Sequence, residues 1–143
     1  MEYQRILAAV DLSEHSATVL SRARAVADVT GATLRILHVV EYVPVEPMGE
    51  ALLPAVNIEE ELVAGARTRL AELARSVGLE AAETTVIAGT IKSELLRAAR
   101  EWPAELVVLG SRERHGLALI LNLTEDAVLH AAPCDVLAVR LPG

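Results

Sequence analysis

The sequence predicts an α/β domain: a single open five-stranded sheet, mostly parallel, with helices on both faces. Three observations carry this. Short β-branched and aliphatic runs alternate with longer stretches of helical spacing, the pattern of strands joined by helical crossovers. The chain is 143 residues long, so 1–143 reads as one domain. Hydrophobic residues make up 52% against 23% charged, enough apolar surface to offset the entropy of ordering the chain.

The first strand is the run Arg5 to Val10, followed by a helix over Ser13 to Thr30 that Gly31 ends. The second strand is Thr33 to Val40. A second helix places Ile58, Leu62, Ala66, Leu70, Leu73 and Val77 on one face and Glu59, Glu61, Arg67, Arg69 and Arg75 on the others. Asn57 stands before it with Glu60 three residues on, a capping arrangement, and Gly78 follows its end. The third strand is Glu83 to Ala88, and a third helix, Ile91 to Trp102, is stopped by Pro103. Strand four is Glu105 to Leu109, a fourth helix runs from Leu123 to Ala131, and strand five is Asp135 to Val139. Glu41 to Val56, with Pro44, Pro47 and Pro54, reads as an irregular flap near the exit of strand two, either a plain surface loop or a cover for a ligand.

Composition removes several classes of function. Aromatics are 2% of the chain, with no Phe, so base-stacking platforms for RNA or single-stranded DNA are not expected. Thirteen Lys and Arg against twenty Asp and Glu give a net charge of -7, which repels a phosphate backbone. No apolar run approaches the ~20 residues that span a bilayer, and MEYQR leads directly into a strand pattern with no signal-peptide segment. A soluble cytoplasmic protein without nucleic-acid or membrane partners is expected. Cys134 stands alone in an apolar stretch and reads as a small buried hydrophobe. His15, His38, His115 and His130 fall on separate elements and form no metal-ligand set.

Right-handed crossovers place ligands beyond the carboxyl ends of the strands, which directs attention to Val10-Asp11, Val39-Val40 and the segment after Leu109. Asp11 has two readings: a ligand contact at the strand exit, or a cap for the first helix with Glu14 three residues on. Gly110-Ser111-Arg112-Glu113-Arg114-His115-Gly116 lies between a strand and a helix, a generic setting for presenting backbone N–H groups to phosphate. Neither a GxxxxGK[ST] loop nor a GxGxxG fingerprint occurs. A phosphoacceptor receiver domain is set aside, because strand three ends Ala88-Gly89 without an Asp and no Lys lies near the exit of strand five.

The opening ILAAVDLSEHS, the HVV of strand two, the loop GSRERHG and the ending APCDVLAVR together resemble the bacterial universal stress proteins of the UspA family, over essentially the whole chain. The resemblance implies a parallel sheet in the order 3-2-1-4-5, commonly a homodimer, and in one branch an ATP site. There the phosphates rest on a loop of pattern G-x2-G-x9-G-[ST], sometimes one residue shorter between the later glycines. The resemblance implies nucleotide-contacting positions at Asp11 and Val39 for the adenosine and at Gly110, Ser111, Arg112, Gly116 and Thr124 along the loop; Arg112 and Arg114 read either as phosphate contacts or as solvated surface paired with Glu113.

Two of the three glycines are replaced. Glu113 stands at the second position, and the third falls on Leu123 or, in the shorter spacing, on Asn122. A carboxylate about 4 Å from phosphate at an effective dielectric near 20 costs about 4 kcal/mol, and a Cβ at either glycine position obstructs close backbone approach. The expected function is therefore a non-enzymatic stress-response regulatory module with weak or absent ATP binding and a protein partner. The alternative is a functional ATP-binding protein or a nucleotide hydrolase using the same crevice. A hydrolase needs a base or metal-binding carboxylates, and neither Asp11 nor Glu113 has a His or Lys at a suggestive spacing. The homodimer is expected to form through the last strand, an apolar run at a sheet edge.

Overall fold

A computed structural model describes residues 3–41, 52–112, 128 and 130–142. In chain order it contains β1 (Arg5–Ala9), α1 (Ser16–Thr30), β2 (Thr33–Val40), α2 (Leu52–Ser76), β3 (Glu83–Ala88), α3 (Ile91–Glu101), β4 (Leu106–Arg112) and β5 (Asp135–Leu141). Residues 128, 130 and 131 are also helical, where the sequence expects the end of a fourth helix. The strands form one sheet in the order β3-β2-β1-β4-β5, and every adjacent pair is parallel. This is the expected order.

Strand alternation divides the core in two. Ile6, Ala8, Leu34, Ile36, Val108 and Val139 face α1 and α2, meeting Val19, Leu20, Ala23 and Leu70. Leu7, Leu37, Val107 and Leu109 face the other way, toward Leu95, Leu96 and Ala99 of α3 and toward Val128. Cys134 packs partly into this second layer, and burial pushes its thiol up.

Several boundaries move. α1 starts at Ser16 rather than Ser13, because Leu12 adopts a left-handed conformation (φ 61°) and the Asp11 carboxylate takes the Ser13 N–H before any helical turn forms. Asp11 and Glu14 therefore do not form a capping box: the residue at the N-cap is His15, with no side-chain cap, and Glu14 lies 3.5 Å from the His15 ring. Gly31 does end α1, in the left-handed region with φ 73°.

α2 starts at Leu52, inside the stretch expected to be an irregular flap. Pro54 lies in its first turn, where a missing N–H costs no helical bond. Asn57 is consequently internal to the helix and not its cap. The apolar face is also shorter than its spacing predicts. Ala66, Leu70 and Ala74 are buried, but Ile58 and Leu62 are 42% and 44% exposed. Length explains it: 25 helical residues rise about 37 Å, against about 26 Å for the eight residues of β2, so the helix outruns the sheet.

β4 and β5 each run beyond their expected ends, pairing Gly110 with Val139, Ser111 with Arg140 and Arg112 with Leu141. Gly, Ser and Arg carry little strand signal of their own; the partner strand supplies the ladder.

The amino ends of three strands are stitched together. The Glu105 carboxylate accepts the N–H groups of Gln4 and Arg5, the latter at 2.8 Å. Glu105 N–H donates to the Arg5 carbonyl at 2.9 Å, and Asp135 N–H to the Glu105 carbonyl at 3.3 Å. Tyr3 closes the group, its hydroxyl 2.7 Å from Asp135 Oδ2. The two backbone donors hold the Glu105 carboxyl below the usual carboxylate range. A depressed carboxylate contributes stability that is complete above its unfolded pKa and is lost as pH falls through its folded pKa. Glu105→Gln is therefore expected to lower stability at neutral pH and to reduce the loss of stability on acidification. Urea denaturation of both proteins along a pH series checks this.

Candidate functional site

The strand order reverses direction between β1 and β4, so the carboxyl ends of β2, β1 and β4 lie side by side at the switch point. Ala9 is level with Leu37 and Ala8 with Val108. Asp11, two residues past the end of β1, Val39 in β2 and Ser111 in β4 thus lie at or near the carboxyl ends of three neighbouring strands.

Asp11 is exposed, and its Oδ1 accepts from Ser13 N–H at 2.9 Å and from the Ser16 hydroxyl at 3.1 Å. Ser16 is itself buried in the first turn of α1. The main chain on either side is held from elsewhere. His38 Nδ1–H donates to the Val10 carbonyl at 2.8 Å, and Arg69 Nη2 donates to the Leu12 carbonyl at 3.1 Å. The left-handed Leu12 between them costs of order 1 kcal/mol or more.

Val39 buries its side chain in the core layer facing α3, which leaves its main chain as what it can present to a ligand. At the neighbouring β2 exit, Glu41 Oε2 accepts the Ile91 N–H at 2.7 Å and caps α3, a task Thr90 at the N-cap leaves undone. The β1 and β2 exits therefore both carry carboxylates.

Gly110 and Ser111 lie inside β4 rather than in a loop after it, as does the backbone of Arg112. A Cβ on Gly110 would stand 2.7 Å from Leu141 Cδ1 and 3.2 Å from Val19 Cγ2, so a side chain here is accommodated only if the end of Leu141 shifts. Glu113, Arg114, His115, Gly116, Asn122, Leu123 and Thr124 lie outside the described residues, as does most of the flap, 42–51.

A separate cleft of about 250 Å³ opens between α3 and the β2–β3 edge, lined by Leu7, Arg35, Leu37, Thr85 and Trp102 among others. It lies toward the amino half of the strands, away from the exits. Its cation is engaged, with Arg35 Nε 2.9 Å from Glu83 and the guanidinium 4.3 Å from the centre of the Trp102 ring. Among the described residues no three His, Cys, Asp or Glu side chains gather as a metal set, and no helix is long and apolar enough to cross a membrane.

The sequence matches the model of the Universal stress protein family over residues 2–140. The chain belongs to that family. Universal stress protein A homolog 1 of Coxiella burnetii is 39% identical over 140 residues, which cover 97% of each chain. Among solved structures, the universal stress protein UspA from Lactobacillus plantarum superposes with a TM-score of 0.77 at 23% identity, over 98% of this chain and 99% of that one. A universal stress protein in complex with cAMP superposes with a TM-score of 0.62 at 20% identity, over 97% and 98%.

In this universal stress protein the sequence singles out Asp11, Val39 and Ser111 as candidates near the strand exits, but does not show the contacts that hold the backbone around Asp11. Ser16 could have been found, since a hydroxyl five residues after Asp11 lies within reach of a turn. Arg69 and Glu41 act on backbone 57 and 50 residues away, and no local pattern announces them. Gly110→Val is expected to destabilise the ligand-free protein by about 1–3 kcal/mol, the usual cost of overpacking. Denaturation in urea without nucleotide measures it; an unchanged midpoint would leave phosphate contact as the only reason for the glycine.

Proposed function

We propose that this universal stress protein is a non-enzymatic regulatory module of the stress response, a homodimer acting on a protein partner, whose switch-point crevice takes adenine compounds of low charge and binds ATP weakly or not at all. The observation that carries the reading is the replacement of two phosphate-loop glycines, with Glu113 at one position and Asn122 or Leu123 at the other. The carboxylates of Asp11 and Glu41 at the neighbouring exits add to it, because a triphosphate would approach two further negative charges. A relative solved with cAMP supports an adenine ligand carrying a single charge. Turnover of nucleotide is not expected, since the sequence brings no set of base, nucleophile and metal ligands together at the strand exits.

Calorimetry tests the site. The wild type is expected to bind adenosine or cAMP more tightly than ATP, and to show no multiple turnovers of ATP. Glu113→Gly combined with Asn122→Gly and Leu123→Ser should raise ATP affinity at least about tenfold, or roughly 1.4 kcal/mol. Micromolar ATP binding by the wild type, or no gain in the restored protein, contradicts the reading.

The dimer is assigned to β5, the outer strand beside β4, where Val136, Leu137 and Ala138 are only half-buried. An edge of that kind is a template for a two-fold antiparallel contact. Val136 packs against the second core layer, so Ala138, outside both layers, is the position at which to place a charge. The wild type is expected at twice the monomer mass by light scattering and Ala138→Lys at the monomer mass. A monomeric wild type rules the assignment out.

A further inference from the structure

Among the described residues Leu12 is the sole non-glycine position with positive φ, at 61°. The hydrogen bond from Ser13 N–H to Asp11 Oδ1 closes a ring through the Leu12 main chain, so the conformation of Leu12, together with the Ser16 hydroxyl on the same oxygen, helps to set where the carboxylate stands. A branched side chain persists in the left-handed region where its surroundings over-determine it. Two contacts do so here. The Leu12 side chain packs partly against the core layer under α1 and α2, and its carbonyl accepts Arg69 Nη2 at 3.1 Å. Arg69 is exposed on α2 and forms no ion pair among the described residues, so the carbonyl is what its guanidinium is spent on. α2 is also the helix that outruns the sheet, which gives a long element a direct hold on the central strand exit.

We propose that Arg69 is a positioning residue for the crevice: by holding the Leu12 carbonyl it keeps Leu12 left-handed and the Asp11 carboxylate aimed, and so makes the crevice's hold on the nucleoside part of an adenine ligand depend on the placement of α2. The effect on ligand rests on the adenine-compound reading above; the effect on the loop does not. Loss of the contact releases Leu12 toward ordinary negative φ, which opens the Ser13 to Asp11 hydrogen bond and turns the carboxylate away. A lysine reaches the same carbonyl with a single donor and keeps part of the hold. A glycine at position 12 takes the left-handed conformation without steric cost and makes the hold largely unnecessary.

The test compares the wild type with Arg69→Ala, Arg69→Lys, Leu12→Gly and the double variant Leu12→Gly with Arg69→Ala. Without ligand, NMR follows the Leu12 Cα and Cβ shifts and amide exchange at Ser13, with Val107 and Val108 of β4 as internal controls. Calorimetry then follows adenosine. Arg69→Ala is expected to move the Leu12 shifts out of their left-handed values, to speed Ser13 exchange at least threefold with the β4 amides unchanged, and to weaken adenosine binding at least fivefold. Arg69→Lys should recover most of each change, and in the Leu12→Gly background the further loss of Arg69 should have little effect. Unaltered Leu12 shifts and Ser13 exchange in Arg69→Ala overturn the positioning role, as does an undiminished effect in the Leu12→Gly background. A wild type that fails to bind adenosine while Ser13 still responds to Arg69→Ala overturns the nucleotide reading and leaves the positioning role standing.

Discussion

Everything at the switch point depends on β1 being paired on both sides, with β2 on one edge and β4 on the other. A central parallel strand is buried on both faces, so β1 must be almost wholly apolar, and Ile6, Leu7 and Ala8 are essentially inaccessible. Polar residues are confined to its two ends, Gln4 and Arg5 before the apolar run and Asp11 as the first after it. The same double pairing brings the carboxyl ends of β2 and β4 alongside that exit. The crevice is a consequence of sheet order before it is a matter of any individual side chain.

The two ends of the sheet are treated differently. At the amino ends, Glu105, Asp135 and Tyr3 bind β1, β4 and β5 together largely through backbone groups. At the carboxyl ends, the backbone of the β1 exit is held by side chains from β2 and α2, and the exit holds an uncommon backbone conformation. Side chains contribute at both ends, and at the carboxyl end they come from elements distant in the chain. Departure from ordinary backbone geometry is also concentrated there, as befits a site kept in shape by its surroundings.

The proposed ligand preference rests on charge. The chain carries a net charge of -7, and the described exits add carboxylates from Asp11 and Glu41 where a nucleotide phosphate would approach. Glu41 also satisfies the N-terminus of α3, a position that would otherwise attract an anion. Helix dipole and carboxylate oppose one another there. These charges are the physical basis of the proposed preference for the nucleoside end of a ligand over its phosphates.

The sequence alone determined the alternation of strands and helices, the parallel sheet and the position of Asp11 at a strand exit, because hydrophobic period and apolar run length are local properties that survive without tertiary contacts. It also carried enough of its family's motifs to imply the strand order. Tertiary structure decided what those properties do not encode. Gly110, Ser111 and Arg112 became strand because β5 lies beside them, and the tips of Leu141 and Val19 lie close over Gly110. Pro54 and Asn57 joined α2 since a first-turn proline breaks no helical bond, while Ile58 and Leu62 stayed exposed because the sheet beneath them is shorter than the helix. Leu12 took a left-handed conformation that no local propensity favours, held by an arginine 57 residues away. Contacts between distant segments depend on which elements pack together, and that is settled only when the whole chain closes on its core.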